Sequence, residues 1–190
     1  MKRRYELKER ARRQAETRER IVEATVELHT SVGPARTTIS AIAERAGVER
    51  HTVYAHFPDE RTLYSACSEH WRDRHPRPDV RRRLELDAPD ERLRGVLSDL
   101  YGWYEEVASD LDVLLRDAPL VPAQAEVMAE TVEATSELAD ELARAWPRRK
   151  PVRAAIGHAL EFETWRSLVR RQGLSRKQAV DAMLRLAASA

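Results

Sequence analysis

The chain has 190 residues, 42% of them hydrophobic and 34% charged, with six glycines and a single cysteine. That length suits one or two compact units with real cores. The lone Cys67 excludes an intramolecular disulfide or CxxC chemistry, and no apolar run approaches the roughly 20 residues of a membrane span. The net charge of +1 conceals an asymmetry, because residues 1–83 hold 19 Lys and Arg against 13 Asp and Glu (+6) and residues 84–190 hold 14 against 19 (−5).

In chain order, residues 1–16 come first, with seven basic side chains (Lys2, Arg3, Arg4, Lys8, Arg10, Arg12, Arg13) against Glu6, Glu9 and Glu16. A flexible basic arm of this kind can follow phosphates or enter a minor groove; a frayed, solvated extension fits the same composition. The segment lacks the apolar stretch of a secretory signal, so a cytoplasmic protein with no membrane association is expected. From Thr17 to Val32, apolar residues at Ile21, Ala24, Leu28 and Val32 keep helical spacing, with Thr17 as N-cap and Gly33-Pro34 as stop. A second helix follows over Thr38–Ala46, with Ile39, Ile42, Ala43 and Ala46 on one face, Thr38 capping the Ala41 N–H and Gly47 ending it. A short helix runs from about Glu49 to Phe57, with Val48 and Val53 inward, and Pro58-Asp59 punctuates it. The next helix spans about Asp59 to His75.

Beyond it, "PRPDVRRRLELDAPDE" reads as a linker. Helices are then predicted over Leu93–Val107, over the short "DLDVLLRD", from Val121 to Trp146, over Val152–Gln172 and over Ser175–Ala188, with Gly173 as a left-handed stop and Ser175 as cap. No strand pattern or internal repeat emerges, and the fold class is all-α. The expected division is residues 1–58 as a basic arm and a head of short helices, and 59–190 as a body of longer helices.

The function is written around Gly47. Two helices crossing steeply over a three- or four-residue turn need a small residue at the approach, a left-handed turn residue and apolar anchors on both sides. Ala43, Gly47, Val48 and Val53 meet those needs, which is the helix-turn-helix pattern. The second helix then carries Arg50, His51 and Thr52 at the end that reaches base edges, where Arg can bond guanine and Thr can meet phosphate or a thymine methyl. Tyr54 and His56 can donate to phosphate, or can be half-buried residues closing the domain.

Residues 17–64 resemble the N-terminal DNA-binding domain of the TetR family of transcriptional regulators. The matching features are Thr17-Arg18, Gly33, Thr37-Thr38, Ile42-Ala43, Ala46-Gly47-Val48 and Thr52-Val53-Tyr54-x-His56-Phe57-Pro58. The resemblance implies a three-helix head on an all-α body, a homodimer formed through the last two long helices, and a small-molecule effector in the body that changes the spacing of the heads. It implies phosphate contacts from Thr17, Thr38, Thr52, Tyr54 and His56, with Arg50 and His51 reading bases of a double-stranded operator; repression is the family's commonest mode. The chain departs from the family in two places. Glu60-Arg61 stands where a phosphate-binding lysine is common, so Arg61 either replaces it or the contact is missing. His51 stands where glycine is common, placing a larger side chain toward the groove.

In the body, Ile156, Ala159, Phe162, Val180, Met183 and Leu184 supply apolar faces for a four-helix dimer interface. Tyr64, Cys67, Trp71, Leu100, Trp103, Tyr104, Met128 and Trp165 are candidate pocket residues, and plain core is the competing role for each. Tyr101 and Trp103 leave the Leu93–Val107 stripe and are expected to lie outside the core; Cys67 is expected to be a small buried hydrophobe. An enzyme would need a constellation that is missing: GxGxxG, P-loop, HExxH and GxSxG are all absent from the sequence. His158 with Glu161 is a lone H-x-x-E, and neither His51/His56 nor His70/His75 falls on one helical face. No catalytic residue, metal site or cofactor is expected. An architectural DNA-binding protein whose body only dimerises is the remaining alternative to a sensor.

Overall fold

A computed structural model describes every residue except 1 and 148, together with the side chains of all but residues 1–4, 148 and 149. The side chains of Lys2, Arg3 and Arg4 in the basic arm therefore lie outside the described residues. The chain is all-α. Its helices are α1 (Lys2–Ser31), α2 (Ile39–Ala46), α3 (Arg50–His56), α4 (Glu60–Arg74), α5 (Arg81–Leu84), α6 (Pro89–Asp117), α7 (Pro122–Ala143), α8 (Arg149–Leu160), α9 (Phe162–Trp165) and α10 (Arg176–Ser189). Short 3-10 turns cover Pro34–Arg36 and Ala118–Leu120, and a π-helical stretch covers Arg166–Arg171.

Two compact units form, one from residues 1–76 and 109–128, the other from 77–108 and 129–190. The first unit retains all of α4 and takes in the end of α6 and the start of α7. Its core joins Ile21, Val22 and Ala24 of α1 to Ile42, Ala43 and Ala46 of α2, Val53 and Phe57 around α3, and Leu63, Ala66 and Cys67 of α4. The second unit buries Leu93, Val96, Leu97 and Tyr101 of α6 with Ile156, Ala159 and Leu160 of α8, Trp165 of α9 and Val180 of α10.

Several elements differ from their sequence-based expectation. Thr17 does not cap α1 but sits inside it, because residues 2–32 contain no glycine or proline and are rich in strong helix formers. Arg12 reinforces that run by bonding Glu9 (3.1 Å) and Glu16 (2.5 Å) across successive turns. The two helices expected over residues 93–117 are one, since Ser109 and Asp110 interrupt the apolar stripe without breaking backbone hydrogen bonding. The expected linker holds the one-turn α5. The helix expected over Val152–Gln172 instead breaks at Glu161. There the Tyr101 hydroxyl donates to the Ala159 carbonyl (2.9 Å) and the Tyr104 hydroxyl to the Leu160 carbonyl (2.7 Å). Backbone acceptors left free by the break are thereby satisfied. α10 begins as expected, Ser175 and Gln178 forming a reciprocal capping box after Gly173 (φ 71°).

Candidate nucleic-acid interface

Local chemistry sets the first half of the helix-turn-helix. The Thr38 hydroxyl accepts the Ala41 N–H at 3.2 Å, satisfying a donor left free at the helix start. Ile42, Ala43 and Ala46 turn inward and are buried. Gly47 adopts φ 65°, a left-handed conformation that disfavours side chains, and lets the Val48 N–H close onto the Ala43 carbonyl at 2.9 Å.

The second half is anchored at two points. Val53 is fully buried and Phe57, the residue that caps the C-terminus of α3, is 3% exposed. Arg18 of α1 lies with its guanidinium 4.9 Å from the centre of the Phe57 ring, and Arg20 donates to the Ala46 carbonyl at 3.2 Å. These two arginines fasten α1 to the ends of α3 and α2. The sequence marks Arg18 through the Thr17-Arg18 pair but carries no local sign of the role of Arg20. With Val53 and Phe57 held inward, Arg50, His51 and Tyr54 are left exposed, while Thr52 and His56 are half-buried. The Thr52 hydroxyl lies 3.5 Å from His51 Nε2.

Six of the eight candidate contacts, Thr38, Arg50, His51, Thr52, Tyr54 and His56, therefore belong to one helix-turn-helix. Thr17 lies on α1, half-buried. Arg61 is highly exposed, its Nε 3.7 Å from Glu126.

The turn leading into α2 is held from far along the chain. Asp117, at the end of α6, is 3% exposed and accepts the Ala35 N–H at 3.1 Å and Arg116 Nε at 2.7 Å. Arg116 also donates to the Val32 carbonyl at 3.2 Å. The hydrogen bond from Arg116 and that from Ala35 hold the Asp117 carboxyl below its ordinary pKa against the opposing effect of burial. Nothing local in the sequence pairs residues 35 and 117.

Glu19 and Glu23 of α1 meet His70 of α4, with donor atoms within 4.8 Å of one another. His70 Nδ1 lies 3.2 Å from Glu19, and Arg74 bonds Glu23 at 3.0 Å, so an arginine already supplies the cation. His158 and Glu161 lie 3.7 Å apart, both exposed.

The pocket candidates divide between the units. Tyr64, Cys67, Trp71 and Met128 belong to the first. Tyr64 packs on His29 (ring centres 4.7 Å apart), and Trp71 Nε1 donates to Asp110 at 2.8 Å. Cys67 is buried, and that burial pushes its thiol pKa up to about 12, leaving an inert apolar group as expected. Leu100, Trp103, Tyr104 and Trp165 belong to the second unit. Tyr104 is the hub of an aromatic cluster with Trp103 (5.5 Å), Phe162 (5.3 Å) and Trp165 (5.9 Å). Trp165 is fully buried, and its Nε1 meets no acceptor among the described residues.

One expectation needs correction. Tyr101 (0% exposed) and Trp103 (9%) lie in the core, because α6 is covered on more than one side. Ile156, Ala159, Phe162, Val180, Met183 and Leu184 are at most 8% exposed within the single chain. Packing inside the chain itself accounts for that burial.

Residues 21–67, which span this helix-turn-helix, match the family model described as bacterial regulatory proteins, tetR family. The N-terminal segment is thus similar to the TetR family over about a quarter of the chain. Solved structures extend the TetR-like fold over most of the chain. A TetR-like transcriptional regulator from Rhodococcus sp. RHA1 superposes with TM-score 0.64 at 19% identity, covering 90% of this chain and 93% of that one. The fatty acid degradation regulator FadR from Bacillus halodurans gives 0.57 at 17%, covering 90% and 94%. The multidrug binding protein EbrR complexed with imidazole gives 0.58 at 22%, covering 89% and 93%. No curated protein matches the chain. No helix of the described residues is long and apolar enough to cross a membrane.

Proposed function

We propose that this protein is a transcription regulator of the TetR family, acting as a repressor, that binds a pseudo-palindromic DNA operator as a homodimer and releases it in response to a small molecule. The observation that carries the reading is the anchoring of α3: Val53 and Phe57 are buried while Arg50, His51 and Tyr54 remain exposed on the same short helix. A helix held down on one side and polar on the other is what insertion into a major groove requires. Arg50 and His51 read bases; Thr17, Thr38, Thr52, Tyr54, His56 and Arg61 position the backbone. Recognition is its chemistry, with no catalytic step.

The effector site is assigned to the second unit, around Trp103, Tyr104 and Trp165. The unpaired Trp165 Nε1 supplies a polar anchor in an aromatic setting, the usual make-up of a small-molecule site. The names of the multidrug and fatty-acid regulators of like fold favour a largely apolar effector. Dimerisation is assigned to the exposed flanks of α8 and α10, where Leu186 keeps 41% of its surface.

In-vitro selection from a random DNA library tests the reading. The expected result is a two-fold symmetric consensus whose half-sites lie about one helical turn, roughly 34 Å, apart. Arg50→Ala should relax preference at one position in each half-site by about 1–3 kcal/mol, whereas Tyr54→Phe should weaken all sequences alike. Recovery of no consensus, or equal losses on operator and random DNA for Arg50→Ala, refutes the assignment.

A further inference from the structure

The helix-turn-helix leaves unexplained the first half of α1. Residues 5–16 are exposed except for half-buried Glu9, yet they continue the core-packed part of α1 without a break. An unpacked helical segment of this size is marginal by itself and persists here by propagation from residues 17–31.

Its charges are sorted by face. At 3.6 residues per turn, Arg10, Arg13, Thr17 and Arg20 fall on one side of α1, at spacings of three and four. Glu9, Arg12, Glu16, Glu19 and Glu23 fall on an adjacent side, again at spacings of three and four. On that second stripe Arg12 is held by both Glu9 and Glu16, so two of the three acidic residues in the arm are spent on one arginine. Arg10 and Arg13 are exposed, and Arg13 acts on Glu9 through its charge, the weakest of the effects that lower the Glu9 pKa. The basic stripe leads directly into the fastened part of α1, where Arg20 bonds the end of α2 and neighbouring Arg18 covers Phe57 at the end of α3.

We infer that the N-terminal half of α1 is a second DNA-contact element: a rigid basic helix whose Arg10 and Arg13 carry the phosphate contact of Thr17 further along one strand, outside the footprint of the helix-turn-helix. This rests on the DNA-binding reading above. Arg10 to Thr17 spans about 10 Å of helix, a length over which one DNA strand presents about three phosphates. A stripe that touches only phosphate adds affinity and salt sensitivity without sequence preference.

The test is the salt dependence of operator binding by the full chain, with far-UV circular dichroism to show that each variant keeps its helix content. Arg10→Gln/Arg13→Gln should flatten the slope of log Kobs against log[salt] by about 0.9 per lost contact, about 2 per bound protomer. The selected consensus should stay the same, and the hydroxyl-radical footprint should shorten at its outer edges. Arg12→Gln, on the other stripe, should leave the slope unchanged. A double variant with wild-type slope and footprint overturns the inference while leaving the regulator reading intact. An equal loss from Arg12→Gln overturns the assignment to one face. Absence of specific DNA binding by the wild type overturns both readings.

Discussion

His29 sits on α1 with 5% of its surface exposed and its ring against that of Tyr64. Burial holds its pKa down to about 4, from an ordinary 6.5, with the Asp117 charge opposing. Between those values the unfolded chain binds a proton that the native chain refuses, so stability is full above pH 6.5 and is lost as pH falls towards 4. A difference of 6.5 − 4 = 2.5 in pKa corresponds to about 3 kcal/mol. Urea unfolding between pH 7 and 4.5 should therefore show a falling midpoint in the wild type and a flatter one in His29→Leu; parallel curves would refute the buried neutral imidazole. The lowered carboxyl of Asp117 acts below this window, since its contribution is lost only as pH falls below the ordinary Asp value of 3.8. Gly33 is the other residue where geometry leaves no choice. Its φ is 103°, and an added Cβ would meet the Asp117 carboxylate and the Arg116 guanidinium. Gly33→Ala should lower stability by more than about 1 kcal/mol, read as a fall in melting temperature.

Among the elements, the break between α8 and α9 depends most on a distant partner. Tyr101 and Tyr104, one turn apart on α6, each cap a carbonyl at that break. Burial drives the Tyr104 hydroxyl pKa up to about 12, so it remains a donor throughout the physiological range. Tyr104→Phe removes one oxygen and leaves the Leu160 carbonyl unpaired in the core, which should lower unfolding stability by about 1–3 kcal/mol. Unchanged stability would mean that the break is satisfied by other means. The helices α2 and α10 show the opposite dependence. Their limits follow from Thr38, Gly47, Gly173 and Ser175, residues whose capping chemistry acts within a few positions.

For the whole molecule, the TetR-like fold extends over about nine-tenths of the chain, although the family model matches residues 21–67 alone. The proposed dimer is the property to test at this scale. The wild type should sediment as a dimer at micromolar concentration, and Leu186→Glu should shift it to monomer by placing a charge on the exposed flank of α10. A monomeric wild type would remove the basis for a palindromic operator. The division of the pocket candidates between the two units belongs to this scale too. Helical spacing showed that Tyr64 and Tyr104 point inward on their own helices, but nothing in the spacing placed them in different cores.

By itself the sequence determined the all-α class, the helix-turn-helix and the polar composition of α3, because caps, left-handed glycines and a 3.6-residue apolar period are short-range signals. Tertiary structure decided the rest: the break in α8 and the burial of Tyr101, Trp103, Ile156 and Phe162 in the chain's own core. The physical reason is sequence distance. Tyr101 meets Ala159 across 58 positions, and Asp117 meets Ala35 across 82. A pattern read along one helix records that a face is apolar or polar, whereas only the folded chain determines what that face touches.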